Sequence, residues 1–222
     1  MAEESFVALS TFRRYSAVEM QKRASEHYDE MSRRRTVRDF SSEEIDPSVI
    51  ETCLRTAGRA PSGANQQPWK FVVITDSSVK RKIREAAEEV ELQFYTREAT
   101  RTWRDALKSL GTGPKKEFLD TAPCLIVIFA ANFSYASNGD RLKHYYVRES
   151  VGIATGMLIT ALHKAGLATL TYTPVNMTFL NDVLSRPSSE KPFMILVAGF
   201  PADTARVPDL QKKELKDFTV FI

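Results

Sequence analysis

Apolar positions recur at two periods along this chain and place helices and strands in alternation. Met20, Ala24, Tyr28 and Met31 fall at helical spacing and predict a helix over 17–34 with one apolar face. Asp46-Pro47 has the form of an N-cap followed by a first helical residue. The helix it opens carries Val49, Ile50, Cys53, Leu54 and Ala57 inward and stops at Gly58. Four short apolar runs without helical period, 69–75, 124–130, 168–173 and 193–199, read as buried strands. Between the first two lies a long charged segment, capped by Ser77 or Ser78. It is helical through Glu91 and Tyr95, extends toward Leu110 and is broken by Gly111-Thr112-Gly113-Pro114. The segment 145–164 reads as an apolar helix closed by Gly166. Its small residues Gly152, Ala154, Gly156 and Ala161 admit another backbone at close range, which predicts a central place for it. The last five residues, Phe218 to Ile222, look extended. Such a terminus pairs either with its own sheet or with a partner chain. Neither an internal repeat nor a low-complexity linker interrupts the pattern.

Composition narrows the class. The chain has 222 residues, enough for one large domain or two small ones, with 43% hydrophobic and 27% charged residues. Its 31 basic residues are interleaved with 28 acidic ones, for a net charge of +3, so no broad basic stripe for nucleic acid is present. The two cysteines, Cys53 and Cys124, stand apart in apolar surroundings and read as buried small hydrophobes. The three histidines are scattered, none at metal-ligand spacing from another histidine or a cysteine, so no metal site is expected. The longest apolar stretch, 122–131, falls short of the roughly 20 residues that span a bilayer. The start of the chain is acidic and lacks a signal-peptide pattern. The expectation is a soluble, cytoplasmic protein as given, tethered to a membrane only if an anchor precedes Met1.

Two segments carry the chemistry. Arg34-Arg35-Thr36-Val37-Arg38 sets three guanidinium groups and a hydroxyl within five residues. That density of forked, charged donors suits a phosphate, although a solvated basic turn has the same composition. Ala60-Pro61-Ser62-Gly63-Ala64-Asn65-Gln66-Gln67-Pro68-Trp69 is a turn-rich loop entering an apolar strand, and its glycine lets main-chain N–H groups approach a flat ligand. Together the two resemble the opening of the nitroreductase superfamily. A third set is Glu91 and Tyr95, four apart and so on one helix face, with Lys116 beyond the Gly-Pro break. By residue type these read first as a solvated helix face and a loop lysine. The other reading is a clamp for an amino-acid zwitterion, Glu91 on the ammonium and Tyr95 and Lys116 on the carboxylate.

More of the chain resembles the halotyrosine-specific branch of that superfamily, the iodotyrosine deiodinases. The matching pieces are Thr56-Ala57-Gly58, Ala60 to Ala64, the Glu91/Tyr95/Lys116 set, Leu119 to Pro123, His144-Tyr145-Tyr146, Thr171 to Pro174 and Val207 to Leu210. The resemblance implies an α+β nitroreductase-like FMN fold, a central mixed sheet flanked by helices, in an intertwined homodimer. It divides the chain into an N-terminal helical extension (1–32) and the FMN domain (33–222). Within that domain it implies a substrate lid around 88–118 and a C-terminal dimer arm around 204–222. Arg34, Arg35, Thr36, Arg38, Ser62, Gly63, Thr171, Tyr172, Thr173 and Lys212 are implied as FMN-binding residues. The Ala64 N–H would hold the substrate phenolate, with Glu91, Tyr95 and Lys116 as the zwitterion clamp. Thr173, ahead of Pro174 at a strand end, would donate to flavin N5 and favour stepwise one-electron transfer. On residue type alone it reads equally as a strand-end threonine bonding local backbone.

The implied reaction is reductive dehalogenation of mono- and diiodotyrosine and other halotyrosines. Without a Gly-x-Gly-x-x-Gly fingerprint, direct NAD(P)H binding is not supported, and a separate NADPH-dependent reductase becomes the expected electron source. The competing readings are a broad NAD(P)H-dependent nitroreductase or flavin reductase and a non-catalytic flavin-binding protein. Three segments depart from the branch pattern. Thr36 replaces the usual Ser, Asn65-Gln66-Gln67 follows the general nitroreductase loop, and Lys212 stands for an Arg.

Overall fold

The computed structural model describes residues 6–222 apart from 98, 104–106 and 108–109. The undescribed positions include part of the expected lid and of the predicted helix extension toward Leu110. The chain divides into residues 1–34 and 35–222.

The first unit holds one helix, α1 (Ala17–Ser32). The Ser16 side chain accepts from the Glu19 N–H, and Arg23 pairs with Glu19 at 2.6 Å. The predicted apolar face is not a buried one: no residue of α1 is buried, and Met20 and Tyr28 stand exposed. Capping and i,i+4 pairs form this helix without a core beneath it.

In the second unit α2 (Pro47–Ala57), β1 (Trp69–Ile74) and α3 (Ser77–Arg97) precede the short α4 (Phe118–Thr121) and β2 (Cys124–Ala131). A small hairpin, β3 (Phe133–Tyr135) with β4 (Arg141–Lys143), leads to α5 (Val147–Lys164). After it come β5 (Ala168–Tyr172), α6 (Phe179–Val183) and β6 (Glu190–Gly199). The sheet runs β1-β2-β6-β5 with every neighbour antiparallel. Among the described residues the mixed character expected of it enters only through Thr36, which bridges Thr169 in parallel at the β5 edge.

β2 explains the layering. Its apolar run is buried on both faces, so both must be covered. Leu125, Val127 and Phe129 pack with Ile83 and Ala87 of α3, Phe118 and Leu119 of α4, and Leu180 of α6. Cys124, Ile126 and Ile128 face the other way, onto Ile50 and Cys53 of α2 and Val151, Leu158 and Leu162 of α5. Both cysteines are accordingly buried and free, and burial pushes the Cys124 thiol up to about 11. β6 begins at Glu190, ahead of the predicted 193. The register shift beside Phe129 accommodates Pro192, which has no N–H to give the ladder.

Three boundaries differ from expectation for local reasons. Asp76, not a serine, caps α3: its Oδ1 accepts from the Val79 N–H at 2.9 Å. α3 ends at Arg97, where the Ala99 N–H closes onto the Phe94 carbonyl. α5 starts at Val147 because Tyr146 is left-handed, with φ of 50°. The tail after Pro201 contains a 3-10 turn, Leu215–Asp217, and no strand. Among the described residues it joins no sheet, and Phe218, Val220, Phe221 and Ile222 are exposed.

Gly199 ends β6 in a tight place, where a Cβ would lie 2.7 Å from Pro123 Cδ and 3.1 Å from Phe40 Cδ1. Gly199→Ala is expected to destabilise the fold by about 1–3 kcal/mol through overpacking. Urea unfolding followed by circular dichroism measures this; an unchanged midpoint would show that the proline ring yields without strain.

Candidate functional site

The arginine segment runs along the β5 edge. The Val37 N–H donates to the Thr169 carbonyl and the Val37 side chain is buried, so Thr36 and Arg38 point to the other side. There Thr36, Arg38, Asp39 and Arg206, with Leu110, Gly111, Val207 and Pro208, line a cavity of about 370 Å³. Burial lowers the Arg38 guanidinium below its ordinary value. Two guanidinium groups and a hydroxyl on one cavity suit an anion such as a phosphate. Arg35 donates to the Pro208 carbonyl and thereby ties the segment to the tail. Arg34 closes the first unit, its N–H on the Met31 carbonyl. Lys212 lies exposed in the tail and does not line this cavity. Arg206, absent from the expected set, does.

The loop before β1 holds three non-glycine residues in the left-handed region: Ala64, Asn65 and Gln67, with φ of 48°, 53° and 48°. Each costs on the order of 1–3 kcal/mol and persists only where the surroundings enforce it. Gln66 supplies that enforcement. Its Oε1 accepts from the Tyr145 N–H at 2.7 Å and its Nε2 donates to the Lys143 carbonyl at 3.3 Å. Ser62 Oγ accepts from the Gln67 N–H, and the Gly63 N–H reaches Ser150 Oγ. A Cβ on Gly63 would fall 2.9 Å from both the Tyr145 carbonyl oxygen and Tyr146 Cδ2, so glycine is needed for the close approach. The Ala64 N–H has no acceptor among the described residues. It is a fixed, free donor on an exposed loop.

Glu91, Tyr95 and Lys116 come together. Glu91 and Lys116 are buried, at 6% and 3% exposure, with Lys116 Nζ 3.4 Å from Glu91 Oε2. Their reading as a solvated face therefore fails. Glu88, one turn earlier on α3, accepts from the Lys116 main-chain N–H at 2.7 Å and pairs with Arg84, which also holds Asp120. Burial pulls the Lys116 ammonium down from its ordinary value, against the opposing field of Glu91. Burial first, and Glu91 second, push the Tyr95 phenol up. The Tyr95 hydroxyl is buried without a hydrogen-bond partner among the described residues. Phe94, Tyr95 and Trp103 meet edge to face beside it.

β5 separates its residues by face. Thr171 and Thr173 are exposed, whereas Tyr172 is buried. The Tyr172 side chain does not share the threonines' face: its hydroxyl donates to Glu91 Oε1 at 3.1 Å and its ring lies under Lys116 Nζ at 5.1 Å. Its expected place at the cofactor is thus limited to its main chain. No spacing rule links Tyr172 to Glu91, 81 residues away, so sequence reasoning missed the contact. Among the described residues no group of three or more metal-ligating side chains occurs. No helix of the described residues is long and apolar enough to cross a membrane.

Residues 31–200 match the Nitroreductase family. An iodotyrosine deiodinase of Haliscomenobacter hydrossis is 47% identical over 196 residues, 88% of each chain. Iodotyrosine deiodinase 1 of Homo sapiens is 46% identical over 209 residues, 94% of this chain and 72% of that one. The crystal structure of oxidized iodotyrosine deiodinase bound to FMN and 3-iodo-L-tyrosine superposes with a TM-score of 0.75 at 30% identity, over 88% of this chain and all of that one. A BluB-like flavoprotein from Clostridium difficile 630, 20% identical, shares the fold with a TM-score of 0.69 over 88% of this chain and 98% of that one.

The buried pair makes a stability test. Lys116→Met strands the Glu91 carboxylate and is expected to cost about 3–5 kcal/mol, whereas adding Glu91→Leu removes the orphaned charge and recovers most of that loss. Chemical denaturation of the two variants decides it. Equal stability of single and double variants would show that water already solvates Glu91.

Proposed function

The chain belongs to the nitroreductase family, within its iodotyrosine deiodinase group, and from that premise we propose that it is an FMN-dependent reductive dehalogenase of halotyrosines. Mono- and diiodotyrosine are the first substrates, and each carbon–halogen bond consumes two electrons and one proton to give tyrosine-type product and halide. The observation that carries the reading is the convergence of Glu91, Tyr95 and Lys116. A buried carboxylate beside a buried ammonium and a free phenol complements an α-amino acid. Glu91 takes the α-ammonium, while Lys116 and the unpartnered Tyr95 hydroxyl take the α-carboxylate. A plain phenol or nitroaromatic has no use for such a set.

The residues present fit FMN. The cavity lined by Thr36, Arg38 and Arg206 suits its phosphate, with Arg34 and Arg35 completing the grip on phosphate and pyrimidine edge. Ser62 and Gly63 would lie along the ring, with Thr171 and the Tyr172 main chain beside it, and Lys212, which lies outside that cavity, would have to swing in from the tail to reach the phosphate. When bound, FMN supplies the reducing electrons. Thr173, exposed just beyond the end of β5, would donate its hydroxyl to flavin N5 and so favour one-electron steps. The Ala64 N–H, fixed by its strained loop, holds the substrate phenolate oxygen and keeps the ring oriented. The exposed, unpaired tail supports a homodimer in which each arm covers the other subunit, and a separate NADPH-dependent reductase delivers the electrons.

The test is anaerobic mixing of the FMN-loaded, dithionite-reduced protein with 3-iodotyrosine. One iodide and one tyrosine per flavin are expected. Absence of iodide together with rapid turnover of a nitroaromatic would make the protein a general nitroreductase, and no substrate-dependent oxidation of the flavin would make it a binding protein.

Thr173→Ala separates the two kinds of electron transfer. A single neutral hydrogen bond is worth about 0.5–1.5 kcal/mol, so deiodination is expected to fall by up to roughly tenfold, with FMN retained and nitroaromatic reduction unchanged or faster. Parallel single-turnover rates for both substrates check this, and a parent-like deiodination rate would remove Thr173 from that role.

A further inference from the structure

Two phenols flank Glu91, and they are in different states. The Tyr95 hydroxyl has no partner among the described residues, whereas the Tyr172 hydroxyl is committed to Glu91 Oε1 at 3.1 Å. Tyr172 is also held from other sides. Its ring meets Phe118 edge to face with centroids 5.5 Å apart, and Lys116 Nζ stands 5.1 Å above it. One side chain of β5 therefore touches both charged members of the clamp and the start of α4. With Oε1 on the Tyr172 hydroxyl and Oε2 3.4 Å from Lys116 Nζ, an incoming ammonium reaches the carboxylate by taking the place of Lys116 at Oε2.

We infer that Tyr172 is a positioning residue for substrate recognition: its hydroxyl fixes the rotation of the Glu91 carboxylate so that Oε2 meets the α-ammonium of the amino-acid substrate. This rests on the reading of Glu91 as the ammonium ligand. Tyr172 makes no contact with substrate in this scheme and acts through Glu91 alone. Its neighbours Thr171 and Thr173 keep the opposite, exposed face. A hydroxyl donating to a carboxylate belongs to the stronger class of protein hydrogen bonds, so its removal has a measurable effect on the group it holds.

Tyr172→Phe keeps the ring, its contact with Phe118 and its place under Lys116, and removes only the hydroxyl. With the FMN-loaded oxidised protein, titration by flavin fluorescence is expected to show about tenfold weaker binding of 3-iodotyrosine and unchanged binding of 2-iodophenol, which has no ammonium. FMN content stays at the parent value. In the Glu91→Gln background the same substitution is expected to add less than twofold. Equal weakening for both ligands, or a full tenfold loss in the Glu91→Gln background, would overturn the proposal alone and make Tyr172 a packing residue. If Glu91→Gln itself leaves the preference for iodotyrosine over iodophenol intact, the clamp reading falls and this inference with it.

Discussion

A strand that is apolar on both faces must be covered on both, and that requirement on β2 organises the domain. Seven consecutive buried residues leave no face for water. α2 and α5 are called to one side and α3, α4 and α6 to the other. Because α3 lies on the Leu125–Phe129 side, Glu91 is brought against the same layer that β5 enters from the opposite end of the sheet. The clamp is thus a by-product of covering β2: a charged helix lies on an apolar layer, and at one turn its carboxylate meets a lysine and a tyrosine instead of leucines.

Burial then decides what those charges can do. In water Glu91 and Lys116 would attract each other weakly, whereas inside the protein each depends on having a partner. The surrounding bonds, Tyr172 to Glu91 and Glu88 to the Lys116 main chain, stabilise this arrangement and restrict it to one geometry. An amino acid that offers both charges can exchange partners with the pair without leaving either ion bare. A ligand with one charge or none can not, so the proposed selectivity for a zwitterion would arise from desolvation as much as from attraction.

The parts legible in the sequence are those with local causes. The β2 run, the Asp46-Pro47 start of α2 and the shared face of Glu91 and Tyr95 all follow from spacing and turn chemistry. Lys116 lies across an excursion of more than a helix, and its return to Glu91 was legible only through resemblance. Tyr172, implied as an FMN-binding residue beside Thr171 and Thr173, has its side chain turned inward by strand alternation, which the resemblance did not reveal. α1 was legible as a helix from its period, but that period does not guarantee burial, and none of its residues is buried. Arg206 gave no signal of its own, since only the fold carries it to Thr36 and Arg38.

The left-handed stretch at Ala64, Asn65 and Gln67 constrains more than contacts. Positive φ disfavours β-branched side chains at those positions whatever lies nearby, and at Gly63 even a methyl group would crowd the Tyr145 carbonyl. Mutational drift along this loop is therefore weighted toward glycine, asparagine and other residues that tolerate the left-handed region before any ligand exerts selection. The alphabet of the motif is set by the shape of the main chain, so a chain that had lost its chemistry but kept its fold would go on spelling the loop in nearly the same letters.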